Sequence, residues 1–276
     1  MGMMRLLPKG SCDCHSHLYP PYSAFALRPA QHHEANADIA DYLAICASLG
    51  VDRHVLVQGK AYPDRQSLLY GMHELGTERV RGIVFFDPAM SDQEFGQLDT
   101  VGVCGFRYLF RAGEAVDMDA VRAGAQIAAK WGWHIILQAE GPALIAHYAD
   151  LLALPCPVVI DHLGRPPRGS SVEDAAFQAL LDFLRGGGWI KLASPYNVTL
   201  NGSSDFSPLA SLVRALLDTE PSRLIWGLNF PHPNLPTDGK PDERHTLTSL
   251  LAMLKPNETQ QIFVENPGLL YKFSQN

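Results

Sequence analysis

Five cysteines in 276 residues, at positions 12, 14, 46, 104 and 156 and never spaced Cys-x-x-Cys, provide no disulfide framework and no thiolate metal knuckle. They read as reduced thiols. A basic tract is also missing. With 22 Lys and Arg against 29 Asp and Glu, the net charge of -7 argues against nucleic acid or an anionic membrane as partner. No run approaches the ~20 apolar residues of a membrane span. The opening Met-Gly-Met-Met-Arg-Leu-Leu-Pro lacks a signal peptide's apolar core, and Leu6 stands where myristoylation needs Ser or Thr. The Asn197, Asn201 and Asn257 sequons therefore have no secretory context, and the expected location is the cytoplasm. No Gly-x-Gly-x-x-Gly follows an early strand, so an open doubly wound sheet is only the runner-up architecture. No Gly/Ser/Pro-rich linker divides the chain and no repeat is visible, so residues 1–276 are expected to form one domain.

What the chain does have is alternation. Short apolar runs predict strands at Ser11–His17, His54–Val57, Gly82–Phe85, Gly102–Tyr108, His134–Leu137, Val158–Ile160, Trp189–Leu192 and Leu224–Trp226. Amphipathic stretches separate most of them: Asp38–Leu49, Gln66–Leu75, Met118–Lys130, Pro142–Leu152, Val172–Leu184 and Phe206–Leu217. A closing helix is expected over Asn257–Tyr271. Eight strands with helices between them predict an α/β fold, a single (β/α)8 TIM barrel. The irregular segments Tyr19–Ala35, Pro166–Ser171 and Pro231–Asp242 follow the first, sixth and eighth strands, on the face where such barrels place their chemistry.

Polar residues end nearly every strand: His15 and His17, Gln58, Arg107, Gln138, His162, Ser194 and Tyr196, then Asn229 and His232. One such residue is ordinarily a structural hydrogen-bonding group. Together they matter, because the strand ends of one barrel surround one cavity. The Asp13-x-His15-x-His17 run heads the set, and strict strand alternation would point all three side chains inward. Two inward imidazoles either bind a metal or handle protons and an oxyanion.

The ordered motifs Asp13-Cys-His15-Ser-His17, Gly105-Phe-Arg107-Tyr, Asp161-His162-Leu-Gly-Arg165-Pro, Leu224-Ile-Trp-Gly-Leu-Asn229-Phe-Pro-His232-Pro and Val264-Glu-Asn266-Pro-Gly-Leu-Leu-Tyr271 resemble the amidohydrolase superfamily. Within it they are similar to the lactonase branch that includes 2-pyrone-4,6-dicarboxylate hydrolase and lactone isomerases. The resemblance implies hydrolysis of a small carboxylated lactone, in a catabolic setting. The superfamily's usual metal set is two His on strand one, His on strands five and six, and Asp on strand eight. Here Gln138 ends strand five, Arg107 stands on strand four and Asn229 on strand eight, which fits the metal-independent members better. Zn²⁺ held by His15, His17 and His162 is the alternative.

The implied mechanism has His15, His17 and His162 polarise the lactone carbonyl, while a strand-eight acid activates water. Arg107, Arg165 and Arg111 would hold a substrate carboxylate, and Gln58, Gln138, Tyr22, Tyr196 and His232 would add hydrogen bonds. Asn229 departs from the pattern, since the family carries Asp there and an amide accepts no proton near neutral pH. Three explanations stand: an Asp→Asn variant made to trap substrate, a natural protein whose base is another group such as His232 or His162, or a carboxylate-binding protein without catalysis. The first is preferred, because the surrounding residues are all in place. A lactone isomerase and a zinc-dependent hydrolase or decarboxylase are the alternative reactions. The oligomeric state is open.

Overall fold

The computed structural model describes residues 5–19, 38–60, 64–233 and 235–273. Tyr22 and most of the segment after the first strand lie outside them. The eight expected strands form one parallel sheet in sequential order: β1 (Cys12–Ser16), β2 (Arg53–Val57), β3 (Val80–Phe85), β4 (Val103–Leu109), β5 (His134–Gln138), β6 (Val158–Ile160), β7 (Trp189–Leu192) and β8 (Leu224–Trp226). Backbone bonds just past β8 close the sheet on itself: Asn229 N–H donates to His15 O at 2.6 Å, and His17 N–H to Phe230 O at 2.7 Å. This is a (β/α)8 barrel, and its seam runs through the residues singled out above.

Helices α1 (Ile39–Leu49), α2 (Gln66–Leu75), α3 (Asp92–Thr100) and α4 (Met118–Trp131) follow the first four strands. The β5–β6 connection holds two short helices, α5 (Gly141–Leu144) and α6 (Tyr148–Leu152), in place of the one expected. Then come α7 (Ala175–Arg185), α8 (Ala210–Thr219) and α9 (Glu243–Leu251). The expected closing helix is three pieces: α10 (Pro256–Gln260), a π-helical turn at Gln261–Glu265 and α11 (Asn266–Leu270). Helix α3 is absent from the sequence reading. It is capped by a Ser91–Glu94 capping box and buries only Phe95 and Leu98, too little apolar periodicity to show. Among the described residues no helix is long and apolar enough to cross a membrane. All five cysteines are free.

Strict alternation fails on β1. Asp13 pairs with His54 and Ser16 with Leu56, so Cys14 and His15 together oppose the single residue Val55. The bulge turns Cys14 and His15 both inward and leaves Asp13 facing outward. Asp13 is fully buried under α1, where its carboxylate accepts from His15 N (3.0 Å), Leu228 N (2.9 Å) and Tyr42 Oη (2.8 Å), and also from Ser16 Oγ. It is a clamp joining β1 to the end of β8, and the expectation that it shares the histidines' face is corrected. Gly227 permits the same closeness, because a Cβ there would stand 2.8 Å from the His15 nitrogen.

Candidate active site

The cavity at the C-terminal ends of the strands encloses about 940 Å³ including its mouth, and is lined by His17, Arg107, Arg111, Gln138, His162, Arg165, Tyr196 and Asn229, among others. Eight of the twelve residues expected to act on or bind substrate therefore do converge. His15, Gln58 and His232 are buried behind this lining and support it, and Tyr22 lies outside the described residues.

The histidine side can be built up one proton at a time. Lys191, on β7 and fully buried, bonds Asp161 Oδ1 at 2.7 Å and stands 3.1 Å from His15 Nδ1. An ammonium only donates, so His15 Nδ1 is an acceptor and its proton sits on Nε2. His17 Nδ1 lies 2.7 Å from the Val57 carbonyl and must donate to it. The His17 Nε2 lone pair then accepts from His15 Nε2, 3.3 Å away. Burial holds His15 well below the usual histidine range, although Asp161 pulls it upward. Burial, with Arg107 nearby, lowers His17 to about 3. His162 falls to about 3 through burial, against the pull of Asp161. All three are neutral imidazoles at pH 7. Burial alone would raise Asp161, but Lys191 and His15 hold its carboxyl well below its ordinary value.

Lys191 and Asp161 have no role in the sequence reading. A lysine in Trp-Ile-Lys-Leu reads as a solvent-facing strand residue, yet it shares the inward face with Trp189 in a barrel that has no solvent side. Among the described residues, the ligand atoms that come within 4.8 Å of one another belong to His15, Asp161 and His162, not to the expected His15, His17 and His162. Two of the three already hold the Lys191 ammonium, and Arg107 adds a second cation beside them. The group does not fit a dication.

Arg107, only 5% exposed, donates to Gln58 O and Gln138 Oε1, both at 3.0 Å, and its Nε has no partner among the described residues. Both acceptors are neutral. Gln58 thus serves through its carbonyl, while its side chain accepts from Phe85 N at 2.9 Å. Arg165 Nη2 is paired with Glu140 at 2.8 Å, and Arg111 is exposed at the rim.

On the β8 side, Asn229 Nδ2 donates to Tyr196 Oη at 2.7 Å. Tyr196 Oη lies 3.1 Å from His232 Nδ1, and His232 Nε2 lies 2.6 Å from Glu243 Oε1. Burial raises Tyr196 to about 12. Glu243 opens α9, a helix absent from the sequence reading because Asp242-Glu-Arg-His carries no apolar period. Strain gathers here: His162, Arg165, Ser194, Asn229 and His232 all have left-handed backbone with φ of 44–64°.

The family model described as "Amidohydrolase" matches residues 12–273. The 2-pyrone-4,6-dicarboxylate hydrolase of Comamonas testosteroni is 30% identical, over 96% of this chain and 91% of that protein. The D-galactarolactone isomerase of Agrobacterium fabrum is 29% identical, over 97% and 92%. An apo structure from Agrobacterium tumefaciens superposes with a TM-score of 0.86 at 27% identity, covering 98% of each chain.

Proposed function

The chain belongs to the amidohydrolase family, and on that premise we propose that it hydrolyses a small carboxylated lactone to the open-chain acid without a metal ion. One observation carries the reading: a buried guanidinium, Arg107, at the cavity wall, whose hydrogen bonds among the described residues go to neutral acceptors only. Such a cation calls for an anion, and a substrate carboxylate meets it by charge-assisted hydrogen bonds. Arg111 at the rim and Arg165, shared with Glu140, flank the same anion.

The lactone carbonyl then lies toward the histidines. His162, which lines the cavity and packs against His15, receives the developing oxyanion, while the His15 Nε2–H that Lys191 sets as a donor is held by His17. His17 takes a different part from the one expected of it. Its Nε2 is an acceptor, so it orients His15 and donates nothing to the oxyanion. Polarisation by imidazoles, a guanidinium and a buried ammonium replaces Lewis-acid help.

The test is a panel of mono- and dicarboxylated lactones, 2-pyrone-4,6-dicarboxylate first, given to chelator-treated protein. Acid release unaffected by chelation is expected; release only after Zn²⁺ is added would contradict the metal-free part. Two further readings have an observation behind them. The isomerase among the relatives favours acyl transfer to a substrate hydroxyl, recognised by a rearranged lactone with no acid released. The amide at 229 favours a trapped form, which would bind but not turn over and gain ~10²–10⁴-fold with Asn229→Asp. A protein that binds carboxylates without catalysis would stay inert after that substitution.

A further inference from the structure

The reaction needs a proton acceptor near the attacking water, and Asn229 cannot be one. We propose that Tyr196, His232 and Glu243 form a proton relay that supplies the general base in its place. This rests on the hydrolytic reading above and names residues that reading leaves unassigned.

The direction of each bond sets the relay. A carboxylate only accepts, so His232 Nε2–H donates to Glu243 at 2.6 Å, leaving Nδ1 as the acceptor. Asn229 Nδ2–H donates to Tyr196 Oη, so the phenolic proton points the other way, to His232 Nδ1 at 3.1 Å. The amide therefore does what a carboxylate in its place would not: a carboxylate would draw the Tyr196 proton to itself and leave the relay pointing at the wrong end. His232 is 4% exposed and Glu243 11%, so both are shielded from competing water. Lys240 donates to the carbonyls of Pro231 (2.6 Å) and His232 (2.7 Å), which fixes the loop bearing the imidazole. Tyr196 and Asn229 line the cavity side by side.

In the step, the Tyr196 hydroxyl proton moves to His232 Nδ1 as the phenolic oxygen takes a proton from water. The water oxygen bonds the lactone carbonyl carbon, and the carbonyl electron pair moves onto oxygen beside His162. Collapse breaks the ring C–O bond. The leaving oxygen takes a proton from Tyr196, which recovers one from the imidazolium, so the relay ends as it began. Because burial disfavours a free phenolate, the two transfers occur together. Tyr196 is the catalytic residue; His232 and Glu243 act through it.

The experiment is a double-mutant cycle on whichever lactone of the panel is opened. Tyr196→Phe, His232→Gln and Glu243→Gln are each made alone and combined with Asn229→Asp, and each is checked for native circular dichroism. With Asn229 retained, all three should lower kcat by about 10²-fold or more. KM should move less than threefold. In the Asn229→Asp background, the cost of His232→Gln should shrink at least tenfold. Equal cost in both backgrounds, or an effect confined to KM, would make the network structural and overturn the relay. Turnover by the Asn229→Asp variant with none by the Asn229 chain would also overturn it, leaving the hydrolytic reading intact. If neither chain opens any lactone, the hydrolytic reading itself is wrong and the relay goes with it.

Discussion

On the β1 side of the cavity His15 leans on a buried ammonium, while on the β8 side His232 leans on a carboxylate. The two imidazoles are alike in type and burial. Their backing groups differ in sign, and that decides what each can do. Lys191 occupies the His15 Nδ1 lone pair and leaves Nε2–H as the donor that His17 accepts, beside the cavity-lining His162. Glu243 occupies the His232 Nε2 proton and turns an acceptor toward Tyr196. One wall is therefore suited to stabilise negative charge and the other to receive a proton, the division that ester hydrolysis requires.

Removing a backing group should break the contrast most severely on the β1 side. Lys191→Met strands Asp161 in a fully buried site, and a loss of about 3–5 kcal/mol in unfolding free energy is expected from urea denaturation. Arg107→Met comes next. Losing charge-assisted bonds worth roughly 1.5–3 kcal/mol should raise KM for a carboxylated lactone about 10–100-fold. A lactone without a carboxylate, assayed in parallel, should show little change.

Stability against pH sharpens the same point. His17 and His162 are neutral in the folded protein, held to about 3 where an unfolded histidine has 6.5. The unfolded chain binds more protons below pH 6.5, so stability is complete above that value and falls as pH drops toward 3. The slope is about 1.4 kcal/mol per pH unit for each histidine. Calorimetry from pH 7 to pH 4 should show Tm falling; a flat profile would mean the imidazoles are charged when folded. The smallest effect belongs to the β8 side. Glu243→Gln keeps a hydrogen-bond acceptor for His232 and should cost about 1 kcal/mol or less in denaturation.

This division is only half legible in the sequence. His15, His17, Arg107, His162 and Asn229 are readable because each ends an apolar run and the motifs occur in the right order. Lys191 is not, because a lone lysine in a strand signals exposure unless the strand is known to line a closed barrel. Asp13 falls on the wrong face in a pattern reading, since a bulge leaves no mark in the residue pattern. Glu243 is hidden with its helix, and with it the partner that gives His232 a direction. The barrel itself is easy to read, because eight buried parallel strands must be apolar runs.

The central claim is that this site opens a carboxylated lactone without a metal ion. The most direct measurement is titration of the acid released when chelator-treated protein meets the lactone panel. The account predicts acid release at a rate that added Zn²⁺ does not raise. Release that begins only with Zn²⁺, or none from either this chain or its Asn229→Asp variant, would contradict it.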